Sequence, residues 1–230
     1  MELPWAHHDR PVARIGRGDS YELHLVAAHG SARRTALERF IRQRFELQHD
    51  ARIHHFMPCL FGLENPAGQL LGAVGVRSAG SGPLFLERYL DQPVEQAIGA
   101  RLGLSEPGRG ELVEVGNLAA DSPGAARLLI VALTDLLVAL GFRWVTFTGT
   151  PPLLNSFQRL GLTPIALGEA DPARMGEELA DWGSYYDSRP LVMAGDIHGG
   201  HQRLLQLGAY PRLGHQPLYA LEDMPNVVCS

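Results

Sequence analysis

From Leu128 to Leu140 every residue is apolar except Thr134 and Asp135. A helix over this stretch is apolar on nearly every face and is stable only when neighbours cover it on all sides. The stretch is too short, and too polar at its middle, to span a bilayer. Asp121-Ser122-Pro123-Gly124 punctuates the chain just before it, and Gly141 stops it. Strand-like runs flank it, Glu111 to Ala119 on one side and Arg143 to Thr148 on the other. A buried helix between two strands calls for an α/β domain, with the helix laid against a sheet.

The rest of the pattern agrees. Tyr21 to Ala28 reads as a first strand, and Ser31 caps a helix with Leu37, Phe40, Ile41, Phe45 and Leu47 at three-to-four spacing. Cys59 to Leu63 and Leu70 to Arg77 read as a hairpin about Asn65-Pro66-Ala67-Gly68. A helical segment starts near Leu84 and is reset by Pro93; a short helix follows from Pro152 to Leu160, and Leu191 to Ile197 is the last strand. A chain of 230 residues is long enough for one large domain. The expected partition is an irregular leader over 1–19, the domain over 20–198 and a surface extension over 199–230.

Composition removes several functions. All 20 basic residues are Arg, so no mechanism needs a lysine Schiff base or a P-loop lysine. The formal net charge of −5 argues against a nucleic-acid partner. No CxxC pair occurs, so no zinc ribbon is written here. The start, Met1-Glu2-Leu3-Pro4-Trp5, lacks the basic and apolar runs of a secretory signal, and a cytoplasmic location is expected.

The turn at Asp121 to Ala126 joins a strand to the buried helix. Free backbone N–H groups and the helix dipole at such a start suit a phosphate, while a plain turn capped by Asp121 or Ser122 is the simpler alternative. Glu114 alternates onto the face of Leu112, Gly116 and Leu118, among apolar neighbours that raise a carboxyl pKa toward that of a useful base. A structural carboxylate paired with an Arg is the alternative. Gly195-Asp196-Ile197-His198-Gly199-Gly200 reads like the opening of a metallophosphoesterase, but too little chain follows to supply the remaining ligands, and no metal is expected. His7-His8 and His54-His55 read as surface pairs. Arg33, Arg34, Arg39, Arg42 and Arg44 read as a solvated helix face, or as a dock for an acidic protein or for phosphates.

The strand, turn and helix about Gly124-Ala125-Ala126, followed by Asn155-Ser156-Phe157, resemble the acetyl-CoA-binding half of the GNAT N-acetyltransferase fold. Phe85-Leu86-Glu87-Arg88-Tyr89-Leu90, Glu114-Val115-Gly116-Asn117-Leu118-Ala119, Phe147-Thr148-Gly149-Thr150, Trp182-Gly183-Ser184-Tyr185-Tyr186 and Ala194-Gly195-Asp196-Ile197 together resemble the thermostable haemolysin family. That family's fold is regarded as GNAT-like and akin to acyl-homoserine-lactone synthases. The resemblance implies an α/β protein with a GNAT-like mixed β-sheet flanked by helices. It also implies acyl transfer from an acyl-CoA or acyl-carrier-protein thioester to a small-molecule amine. Glu114 would be the base, and backbone N–H groups at Asn117, Leu118 and Ala119 would hold the thioester oxygen. Gly124, Ala125, Ala126 and Arg127 would hold phosphates, with Asn155 beside the pantetheine. The arginine dock of the first helix would take an acidic acyl carrier protein or the phosphates of coenzyme A. Asp121 stands where such enzymes carry Arg or Gln. Phe157 stands where many carry a tyrosine acid, which leaves Tyr185 and Tyr186 as substitutes. The family's name implies membrane lysis instead, for which Ala125 to Leu140 is the apolar candidate, and a GNAT-like protein that binds without catalysis is a third expectation.

Overall fold

The computed structural model describes residues 10–18, 20–26 and 30–219. Nine strands form one sheet in the order β7-β8-β6-β5-β4-β3-β2-β1-β9. In chain order they are β1 (Ala13–Ile15), β2 (Tyr21–Val26), β3 (Cys59–Glu64), β4 (Leu70–Ser78), β5 (Leu112–Ala120), β6 (Trp144–Gly149), β7 (Ile165–Glu169), β8 (Leu191–Asp196) and β9 (Gln216–Pro217). The helices are α1 (Ala32–His49), α2 (Val94–Leu102), α3 (Pro123–Ala139), α4 (Pro151–Arg159), α5 (Ile197–Gln206) and the short α6 (Ala209–Arg212). Neighbouring strands are antiparallel except β5 and β6, which run parallel and are joined by the crossover helix α3.

Side-chain alternation sorts the core onto two faces. Phe61, Leu63, Val74, Val76 and Val113 meet α3 through Leu129, Val131 and Leu136. Leu60, Ala73 and Ala119 meet α1 through Leu37 and Ile41 on the other face. The apolar helix anticipated from the sequence is thus central to the core, with Leu129, Val131, Ala132 and Leu136 essentially inaccessible. No described helix is long and apolar enough to cross a membrane. At the hairpin, Asn65 Oδ1 accepts the N–H groups of Ala67 and Gln69, and Gly68 takes a positive φ of 76°.

Both ends contribute to the fold. Ala13–Ile15, inside the expected irregular leader, pairs with β2 because alternating Ala13 and Ile15 bury against the core. Residues 199–219 are likewise no surface extension. Leu204, Ala209 and Tyr210 are buried, and β9 pairs with β1 at the sheet edge. Asp135 on α3 fixes this segment: its Oδ2 lies 2.9 Å from His215 Nε2 and accepts the Tyr219 hydroxyl at 2.6 Å. The anticipated pair His7-His8, the end of the first strand at 27–28, and residues 1–9 and 220–230 lie outside the described residues. The strand β7 has no counterpart in the sequence reading.

Candidate functional site

The parallel pair β5–β6 opens after three residues. Leu112, Val113 and Glu114 face Trp144, Val145 and Thr146; beyond them β5 follows β4, and β6 follows β8. Asn117 marks the cause. Its φ of 51° is left-handed, and the β4–β5 register slips there, with Gly75 opposite Gly116 but Ala73 opposite Ala119. One extra residue on β5 is a β-bulge, which bends the strand away from its neighbour. It also resets the alternation. Leu118 therefore packs on the α3 side with Val113 and Val115, not on the Glu114 face where strict alternation places it.

The gap opens into a cleft of about 880 Å³ that passes between the strands. One end is polar and aromatic, lined by Arg77, Phe85, Glu114, Trp182 and Tyr185. The other is an apolar alley between α3, α4 and α5, lined by Leu133, Leu137, Val145, Phe157 and Leu162. Phe157 stacks on Phe147 with centroids 4.9 Å apart. Where these strands part, the N–H groups on the β6-facing edge of residues 115–118 lose their ladder partner.

Glu114 is 3% exposed and lines this cleft. Its Oε2 accepts the Phe85 N–H at 2.8 Å and its Oε1 the Leu86 N–H at 2.9 Å. It therefore holds the 3-10 turn Phe85–Tyr89 against the sheet. Burial pushes its carboxyl up to about 7, against the downward pull of those two amides and of the Arg77 charge. Among the described residues Glu114 makes no ion pair with the Arg77 opposite it; its hydrogen bonds go to the two amides.

Other anticipated residues fall in and out of the cleft. Tyr185 lines it, and burial pushes its phenol pKa upward, so the hydroxyl stays a donor. Tyr186 does not face it: its hydroxyl lies 2.6 Å from that of Tyr89. The Asn117 side chain accepts the Met57 N–H at 2.8 Å and donates to the His55 carbonyl at 3.2 Å, so only its backbone borders the gap. Ala119 is buried against α1, paired with Ala73, and is not among the residues that line the cleft.

At the start of α3 the simpler alternative holds in part. Ser122 is the N-cap, and its Oγ accepts the Ala125 N–H at 3.2 Å. Pro123 has no N–H, and the Ala126 N–H goes to the Ser122 carbonyl. Of the first-turn amides, Gly124 is the one that meets neither. Ala126 lines the cleft, whereas Arg127 is half-buried beside it on α3. Asn155 is exposed on the outer side of α4; Pro152, Leu153, Ser156 and Phe157 are the α4 residues that line the cleft.

Asp196 caps α5 by accepting the Gly199 N–H, and His201 Nδ1 lies 2.7 Å from the Tyr210 hydroxyl. The Gly195-Asp196-Ile197-His198 run is thus a strand-to-helix turn. Arg34 is not part of a solvated face. It is 2% exposed and donates to the carbonyls of Met57 and Pro58 and to Glu38. With Asn117 it pins the segment that carries Met57 over Gly75 and Gly116, where a Cβ on either glycine would lie 2.5 Å from Met57. Arg44, one of the five helix arginines singled out in the sequence, lines the cleft, while Arg77 and Met57 went unnoticed as site residues. The two glycines facing each other across β4 and β5 are the signal that something lies close over them.

Asn117→Ala should cost about 2–4 kcal/mol, because it removes both hydrogen bonds and puts alanine at positive φ. Asn117→Gly keeps the backbone and should lose about 1 kcal/mol less. Urea unfolding of the three proteins checks this, and equal losses would assign the whole effect to the hydrogen bonds.

A family model described as thermostable hemolysin matches residues 27–201, well over half the chain, and the chain belongs to that family. No curated protein matches it in sequence. Among solved structures it is similar to FeeM, an N-acyl amino acid synthase from uncultured soil microbes. That match has 19% identity and a TM-score of 0.59, covering 84% of this chain and 98% of that one. The acyl-homoserine-lactone synthase LasI matches at 11% identity with a TM-score of 0.53, over 78% of this chain and 91% of LasI. BjaI, a CoA-dependent acyl-homoserine lactone synthase solved with SAM and isopentyl-CoA, matches at 14% identity. Its TM-score is 0.51, over 84% of this chain and 89% of BjaI. These likenesses establish the fold as GNAT-like α/β, a mixed sheet flanked by helices.

Proposed function

We propose that this member of the thermostable hemolysin family transfers an acyl group from a thioester donor, acyl-CoA or acyl-carrier protein, to the amine of a small molecule. The observation that carries the reading is the cleft itself: a buried carboxylate stands at its polar end, and an apolar alley continues on the other side of the sheet. The solved structures of similar fold include an N-acyl amino acid synthase and CoA-dependent acyl-homoserine lactone synthases, and this supports the donor class.

In the proposed step the acyl chain lies in the alley and the thioester carbonyl sits where β5 leaves β6. The amine nitrogen attacks the carbonyl carbon, a C–N bond forms, and the C–S bond breaks. Glu114 takes the proton from the attacking nitrogen, and the departing sulfur ends as the free thiol. The unpaired N–H groups on the β6-facing edge of residues 115–118 stabilise the oxyanion. Tyr185, which lines the cleft, serves as the donor to sulfur. The turn at Gly124, with Arg127 beside it, takes the donor's phosphate.

The test is amine-dependent release of thiol from acyl-CoA thioesters and from acylated carrier protein, with the amide product identified by mass. Thiol release that follows amine concentration supports the transferase. Calorimetric binding of thioesters without any amide product would make the protein a binder only. Leakage of liposomes by the pure protein, without amide formation, would favour the lytic reading.

A further inference from the structure

Among the described residues the Arg77 guanidinium makes no ion pair and no side-chain hydrogen bond, although its charge is felt by Glu114. Arg77 stands on β4 directly opposite Glu114 on β5, so the two side chains rise from the same face into the cleft. Among the described residues no carboxylate comes within ion-pair distance of it, and both Glu114 oxygens are held by backbone amides. Arg34 is matched with Glu38, Arg88 with Glu178, and Arg109 with Glu87 and Glu95, whereas Arg44, which also lines the cleft, keeps a buried Nε without a partner among the described residues. A half-buried guanidinium at the polar end of the cleft, without a hydrogen-bonded anion on it, is placed to meet an anion that arrives with the ligand.

We propose that Arg77 binds the carboxylate of the acceptor, and that the acceptor is a free α-amino acid; this rests on the acyl-transfer reading of the same cleft. Directly opposed residues on adjacent strands hold their Cβ atoms about 5 Å apart. A carboxylate taken by the planar fork of Arg77 leaves the α-amine two bonds away, on the Glu114 side. A phosphate of the donor is the other anion to consider. Glu114 and Asp121 are separated by seven residues of chain, about 20 Å of strand. A phosphate at the start of α3 is therefore out of reach of Arg77.

The experiment compares phenylalanine with phenethylamine, and leucine with isoamylamine, in wild type, Arg77→Met and Arg77→Lys. Each is assayed with acyl-CoA and with an acyl-pantetheine donor that lacks the nucleotide. Wild type should favour the amino acids about 10- to 100-fold in kcat/KM. Because loss of the Arg77 charge moves the Glu114 limb to higher pH for every amine, the proteins are compared on the plateau of each profile. There Arg77→Met should erase the preference through KM for the amino acid with both donors, and Arg77→Lys should restore part of it. Equal use of amine and amino acid by wild type overturns the assignment while leaving acyl transfer standing. So does an Arg77→Met defect that appears only with the nucleotide-bearing donor, because the anion is then the donor's phosphate. Absence of transfer to any of the four acceptors overturns both this assignment and the reading beneath it.

Discussion

Glu114→Gln should lower turnover by about 10²-fold or more while leaving thioester binding within about twofold. The carboxylate is the buried titratable group beside the point where β5 and β6 part, and glutamine keeps its shape without accepting a proton. The pH profile separates chemistry from structure. With the carboxyl raised to about 7, the wild-type rate should climb tenfold per pH unit below that value and level off above it. The variant should lose this limb. Wild-type turnover in Glu114→Gln would remove the residue from the mechanism and leave it as the anchor of the Phe85–Tyr89 turn.

The same shift has a consequence for stability, of opposite direction to the rate. The folded carboxyl titrates near 7 against 4.5 for the unfolded chain, so between those values the folded state holds the extra proton. Stability from this group is therefore greatest below the unfolded value and falls as pH rises to about 7, by roughly 3 kcal/mol in all. Glutamine carries no such penalty. It does carry a fixed one, because its amide N–H₂ meets one of the two backbone N–H groups, at a cost of about 1–3 kcal/mol. The advantage of wild type over Glu114→Gln should thus shrink between pH 5 and pH 8, and an advantage that stays constant would mean the carboxyl titrates normally.

What could be read from the sequence follows from what local pattern can encode. The helix α3 was legible because its apolar residues leave no face for water, and Glu114 because a carboxylate in period-two register with Leu112 must lie under cover. Leu118 was misplaced by the same rule, since a left-handed Asn117 inserts a residue that alternation does not count. That conformation is held by the Met57 N–H and the His55 carbonyl, which are far away in the chain. The strand β7 is short and nowhere fully buried, and it exists through its pairing with β8. Arg34 looked like one of five helix arginines because nothing nearby in sequence announces the carbonyls of Met57 and Pro58 that draw it inward. Arg77 closes a strand with a charge, as many exposed strands do; its meaning comes from standing opposite Glu114 without a partner.

The largest effect should come from filling the alley. If an acyl chain lies there, each methylene buried adds about 0.8 kcal/mol, roughly fourfold in affinity, until the apolar wall ends. Val145 lines the alley on β6 one residue before the strands part, and it is half-buried, so a larger side chain has room to turn into the void. Val145→Phe should weaken binding and turnover of a dodecanoyl donor by about 10²- to 10³-fold, the loss of four or five methylenes. It should leave an acetyl or butanoyl donor within about threefold. A second plug from another wall is Gly200→Leu on α5, where an added Cβ meets Leu162 at 3.5 Å, an ordinary contact. Both variants should trim the long donors while keeping the Glu114 pH limb on short ones, since neither touches the carboxylate. Equal losses for short and long donors would report overpacking of the core. Unchanged chain-length preference in both would place the acyl chain outside the alley, leaving Glu114 at the mouth of a cavity with some other occupant.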